Sequence, residues 1–158
     1  MRKPIQSAGV LRRQPCYHIF TTERWWQSFM RRIVLDMQSG LFAEAITKAL
    51  ADSNLGFLVY SSAKPEETVS LCRTCCANVL VMEVTQRGVW QLGERIKLLS
   101  ELRSSESGQN CKILLLVDEN VDAMLAADVR QAVKDQLADN FIYASVSPTY
   151  LAGVIDAL

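Results

Sequence analysis

Three carboxylates stand where apolar runs end. Asp36 closes RIVLD, Glu83 lies inside VLVMEV, and Asp118 follows KILLLV. A carboxylate leaving a buried strand either keeps a solvated strand end polar or belongs to a site. If the runs are neighbouring strands, three such groups converge on one crevice and offer a divalent cation the hard oxygen ligands it prefers. That is one functional reading: a small-molecule- or metal-binding domain, enzymatic or not, using Asp36, Glu83 and Asp118. A one-residue slip along a strand reverses side-chain direction, so the direction of Asp36 decides whether the three meet.

Other reactive residue types form weaker patterns. CRTCC places Cys72, Cys75 and Cys76 on one apolar-striped helix, with no second cysteine–histidine cluster to complete a zinc site. They read as small buried hydrophobes. No glycine pattern makes a phosphate-cradling loop after a strand. Ser61 and Ser62 follow an apolar run, but the single histidine, His18, cannot supply a triad with them. Trp90 near Glu83 reads either as a lid over the crevice or as an ordinary surface anchor.

The elements that must position these residues are regular from residue 31 onward. RIVLDM, GFLVY, NVLVMEV, KILLLV and NFIYAS are apolar runs of strand length. Helical spacing links Leu41, Phe42, Ala45, Ile46, Ala49 and Leu50; then Val69, Cys72 and Cys76; then Val89, Leu92, Ile96, Leu99 and Leu102. Leu125, Val129, Val133 and Leu137 follow behind a candidate cap at Asn120, and Leu151, Val154, Ile155 and Leu158 close the chain. Pro65 with Glu66 and Glu67, and Ser147 with Pro148, mark helix first turns. Strand and helix alternate five times. The expected fold is therefore α/β, a doubly wound five-stranded parallel sheet of (βα)5 type in the order 2-1-3-4-5.

Composition narrows the function. The chain has 158 residues, 49% of them hydrophobic, which suits one domain with a full core. Lys plus Arg number 17 and Asp plus Glu number 17, so no basic excess draws the chain to nucleic acid or anionic lipid. No apolar run approaches a membrane span. Five cysteines, an odd number with three crowded together, point to a reducing, cytoplasmic setting.

Residues 1–30 form a separate arm, basic and without sustained periodicity. ERWWQSF back-translates to a purine-rich stretch just before Met30 that resembles a ribosome-binding site, so two readings stand: Met30 as the natural start, or a genuine disordered or strapped arm. Trp25 and Trp26 are adjacent and cannot share a helix face. Deleting residues 1–29 is expected to leave the thermal midpoint nearly unchanged. A drop of about 5 °C or more, roughly a kcal/mol at this size, would show that the arm packs.

Two stretches carry a family resemblance. ANVLVMEVTQRG resembles the phosphoacceptor strand and loop of response-regulator receiver domains, with Glu83 at the aspartate position and Gly88 at the loop glycine. ADNFIYASVSPTYL is similar to their fifth strand and last helix, with Phe141 at the switch aromatic. The resemblance spans residues 31–158 and implies a flavodoxin-like receiver fold in bacterial two-component signalling.

The same resemblance exposes systematic departures. The acidic pair that holds Mg²⁺ in the family corresponds to Met37 and Gln38. The hydroxyl residue ending strand four corresponds to Val117, and the lysine ending strand five to Ala144. A thioether cannot replace a carboxylate at Mg²⁺, valine offers no hydroxyl, and alanine cannot pair with a phosphoryl charge. The resemblance thus implies a degenerate receiver, non-enzymatic and needing no cofactor. It would act on a protein partner or as a homodimer through its fourth helix, fifth strand and fifth helix, with Phe141, Tyr143 and Tyr150 on or near that surface. Glu83, one methylene longer than aspartate, either mimics part of an activated state or is a solvated strand-end carboxylate. With Asp36 and Asp118 near and no lysine, it is expected to cost stability rather than supply it.

Overall fold

A computed structural model describes residues 30–118 and 123–158. The arm, with His18, Trp25 and Trp26, and the cap at Asn120 lie outside the described residues. The five strands are β1 (Arg31–Asp36), β2 (Phe57–Ser61), β3 (Val79–Val84), β4 (Lys112–Val117) and β5 (Asn140–Tyr143). They pair in parallel in the order β2-β1-β3-β4-β5, as the alternation of elements implied. The helices are α1 (Gly40–Asp52), α2 (Pro65–Cys75), α3 (Leu92–Arg103), α4 (Ala123–Lys134) and α5 (Pro148–Ala157). A 3-10 turn, Gly88–Trp90, precedes α3, and a single helical turn, Glu106–Gln109, interrupts the polar loop after it.

The strands are apolar almost without break because helices cover both sheet faces. Side chains alternate across the sheet. Ile33, Leu35, Val79, Val81, Leu114 and Leu116 pack with Ile46 and Leu50 of α1 and Leu151 and Ile155 of α5. Val34, Leu80, Met82, Ile113, Leu115 and Val117 pack with α2, α3 and α4 through Val69, Cys72, Leu99, Leu102 and Val129.

Local chemistry starts the helices, as expected at Pro65 and Ser147 and, unforeseen, at Ser39. Ser39 Oγ accepts the Phe42 N–H ahead of α1, and Ser147 Oγ accepts the Tyr150 N–H ahead of α5, where Pro148 occupies the first turn. Pro65, Glu66 and Glu67 open α2, and Cys76 ends it in the left-handed region at φ 50°.

Several expected core positions are not core. Leu41 is 81% exposed, because α1 buries Ala43, Ile46 and Leu50 and turns Leu41 and Ala45 outward. Val89 precedes α3, and Leu137 lies beyond the end of α4; both are exposed. Cys72 is core, but Cys75 is half-buried and Cys76 exposed at the helix end.

Candidate functional site

The alternation of side chains along β1 settles the direction of Asp36. It shares a face with Val34 and is paired in register with Met82, so it points into the layer under α2 and α3. Asp36 and Arg95 of α3 are both fully buried. Arg95 Nη1 donates to Asp36 Oδ2 at 2.8 Å and Nη2 to Oδ1 at 3.3 Å. The same guanidinium reaches the main chain of both strands, through Nη2 to the Asp36 carbonyl at 3.4 Å and Nε to the Glu83 carbonyl at 3.0 Å. From α2, the Thr68 hydroxyl donates to Asp36 Oδ2 at 2.7 Å. The Trp90 ring closes the assembly, its centroid 4.2 Å from Arg95 Cζ, a cation–π distance.

A buried charge is tolerated only when paired and hydrogen-bonded, and both conditions are met here. Burial pulls the Arg95 pKa below its ordinary value, while the Asp36 carboxylate and the charge of Glu83 oppose that pull. The guanidinium nevertheless stays protonated at any physiological pH. The sequence reading missed Arg95. It assigned the α3 stripe to Ile96, which is half-buried, whereas Arg95 stands three residues after Leu92 and four before Leu99, inside the apolar face. A charge at that spacing was the available signal. Trp90 is accordingly neither a lid over Glu83 nor a simple surface anchor; it caps the buried guanidinium.

Glu83 points the other way, toward α1 and α5. It is half-buried, and its Oε2 accepts the backbone N–H of Gln38 at 2.6 Å, tying the end of β3 to the loop after β1. It lines a cavity of about 480 Å³ at the carboxyl end of the sheet. Gln38, Thr85 and Asp118 contribute polar groups, and Phe42, Leu116, Leu125 and Ala144 contribute apolar wall. No Lys, Arg or His occurs among the described lining residues. A larger groove of about 730 Å³ lies between α1 and α5 and holds none of the expected site residues.

The expected residues therefore separate. Gln38, Glu83, Asp118 and Ala144 meet at the cavity. Met37 is buried in the α1–α5 layer. Val117 is buried on the opposite face, among the α4-side residues, and Leu116 stands in the cavity wall instead. The three-carboxylate cation site does not form, because Asp36 lies across the sheet and is neutralised by Arg95. Among the described residues no group of three or more His, Cys, Asp or Glu side chains is placed to hold a metal ion. At the positions the fold family uses for Mg²⁺ the donor set fits poorly: a buried thioether at Met37, an exposed amide at Gln38 and a Glu83 carboxylate bonded to the Gln38 N–H, with Asp118 as one further carboxylate at the cavity. The expected cost of Glu83 loses its ground for the same reason, since one presumed like-charged neighbour is absent and an N–H donor is present.

Phe141 and Tyr143 are half-buried on the α4 side of β5, their rings 5.7 Å apart and nearly perpendicular. Tyr150 is 58% exposed on α5. Ser62 serves structure: its Oγ donates to the Lys64 carbonyl and lies 3.0 Å from the Thr68 hydroxyl.

Sheet order, helix placement and a crevice at the strand carboxyl ends define the flavodoxin-like fold of receiver domains. The chain is similar in structure to a response regulator from Thermotoga maritima, at 18% identity and a TM-score of 0.65, over 82% of this chain and 97% of that one. It is also similar to a DNA-binding response regulator of the LuxR family from Staphylococcus aureus, at 14% identity and a TM-score of 0.63, over 81% of this chain and 98% of that one. A response regulator from Burkholderia multivorans aligns at 21% identity and a TM-score of 0.58, over 82% of this chain and 94% of that one. No family model matches the chain, and no curated protein matches it in sequence. No helix among the described residues is long and apolar enough to cross a membrane.

Proposed function

We propose that the chain is a degenerate receiver, a non-enzymatic signalling module that works by protein–protein contact without carrying a phosphoryl group. One observation carries the reading: the composition of the cavity around Glu83. A carboxylate that accepts a phosphoryl group gathers charge, and catalysis of that transfer rests on cations placed to neutralise it. Here the acceptor position holds a glutamate closed onto the Gln38 amide, the lysine position is Ala144, and the described lining supplies acids, neutral polar groups and hydrocarbon but no cation. A glutamate carries a fixed charge of about −1 against roughly −2 for a phosphorylated side chain. Glu83 holds the end of β3 against the loop after β1 and does no chemistry there.

The contact surface in this proposal is α4, β5 and α5. β5 is an edge strand, Tyr150 is exposed on α5, and Met124 is 74% exposed at the start of α4. Exposed aromatic and methionine side chains are favoured interface anchors. The partner is a second copy of the chain or another signalling protein in the cytoplasm.

Incubation with acetyl phosphate and Mg²⁺, or with a phosphorylated histidine kinase, is expected to leave the intact mass unchanged. A gain of one phosphoryl group that disappears in Glu83→Gln would overturn the proposal.

A further inference from the structure

We infer that Arg95 takes the place of a divalent cation from within the chain, holding the carboxyl ends of β1 and β3 together so that the domain needs and binds no Mg²⁺ there. The inference extends the reading of a degenerate receiver, but it stands on a different set of atoms. The guanidinium is surrounded by oxygen: both carboxylate oxygens of Asp36, the Asp36 carbonyl and the Glu83 carbonyl, at 2.8 to 3.4 Å. A carboxylate with two main-chain carbonyls is the donor set a hard cation takes. In this chain a covalently tethered cation fills it, delivered by α3 and shielded from solvent by Trp90. Its five N–H donors form a rigid fork, which suits a site that must bridge two strands as well as neutralise a charge.

The consequence is a change of dependence. A site built around Mg²⁺ is ordered only when the ion is present, and its stability follows ion concentration. A site built around Arg95 is ordered in every ionic condition the cell offers. The chain would hold the ends of β1 and β3 in one arrangement permanently, which fits a module read by contact.

Thermal unfolding of the full chain tests this. In wild type, 10 mM MgCl₂ against chelator, at about that concentration on each side, is expected to move the midpoint by less than about 1 °C. Arg95→Ala empties the oxygen-lined space. Its midpoint is expected to fall by about 10 °C or more, and methylguanidinium at low millimolar concentration is expected to restore part of the loss while leaving wild type unmoved. If Arg95→Ala does not fold, the pair Arg95→Met with Asp36→Asn removes both charges and is expected to fold. A wild-type midpoint that rises by several degrees in Mg²⁺ would overturn the inference, as would an Arg95→Ala midpoint equal to wild type, an absence of guanidinium rescue in a folded Arg95→Ala, or a charge-free pair that also fails to fold. Phosphoryl gain with no Mg²⁺ stabilisation would defeat the proposed function and spare Arg95; Mg²⁺ stabilisation without phosphoryl gain would do the reverse.

Discussion

Arg95→Met is expected to lower the free energy of unfolding by about 3–5 kcal/mol, the usual consequence of removing one partner from a buried ion pair. The loss comes from what remains. Asp36 would stay fully buried with the Thr68 hydroxyl as its surviving side-chain donor, and the Glu83 carbonyl would lose the Arg95 Nε hydrogen bond. Methionine fills a similar volume, so the cavity contribution is small and the measured change reports the stranded charge. Adding Asp36→Asn should recover a large part of the loss, because the coupling between two members of one network is not additive. Urea unfolding of the four proteins in the cycle provides the measurement. Independent, additive losses would show that the two groups do not act together.

Asp139→Ala is expected to cost about 2 kcal/mol, the order of a charge-assisted hydrogen bond lost from a partly buried position. Asp139 stands just before β5. Its Oδ2 accepts the Ile113 N–H at 2.8 Å and faces Arg103 at 3.1 Å, and its Oδ1 faces Lys112 at 3.2 Å. One side chain therefore fastens the amino end of β4 to β5 and α3. Partial burial would push its pKa up, but the Ile113 amide, Lys112 and Arg103 outweigh that and hold it below the ordinary carboxylate range. A folded pKa below the unfolded one means the folded state binds its proton less tightly. The contribution is thus fully present above the unfolded pKa of about 4 and is lost as pH falls through the folded pKa. The stability difference between wild type and Asp139→Ala should be constant near neutrality and shrink in acid. A difference independent of pH down to acid unfolding would mean the charge of Asp139 contributes nothing.

Much of the architecture was legible because it rests on local rules. Apolar runs of strand length, the cap at Ser147 and the first-turn prolines each act within a few residues, and together they imply the alternating elements that became the sheet. The site was less legible because it depends on parity and on long-range partners. RIVLDMQ shows a carboxylate at a strand end, but whether it faces α1 or α3 follows from pairing with Met82, far along the chain. Arg95 reads as a surface charge on an amphipathic helix until Asp36 is found opposite it. Leu41 and Ala45 failed for a related reason: α1 carries two adjacent apolar stripes, and packing, rather than composition, chose Ala43, Ile46 and Leu50.

The central claim is that the crevice at the carboxyl ends of the strands is chemically silent. An amide-resolved NMR titration tests it most directly, with Mg²⁺ added first and acetyl phosphate second. The account predicts that the amide resonances of Gln38, Glu83, Thr85 and Asp118 stay where they are through both additions. Saturable shifts of that group, appearing with Mg²⁺ and growing with the phosphoryl donor, would contradict it.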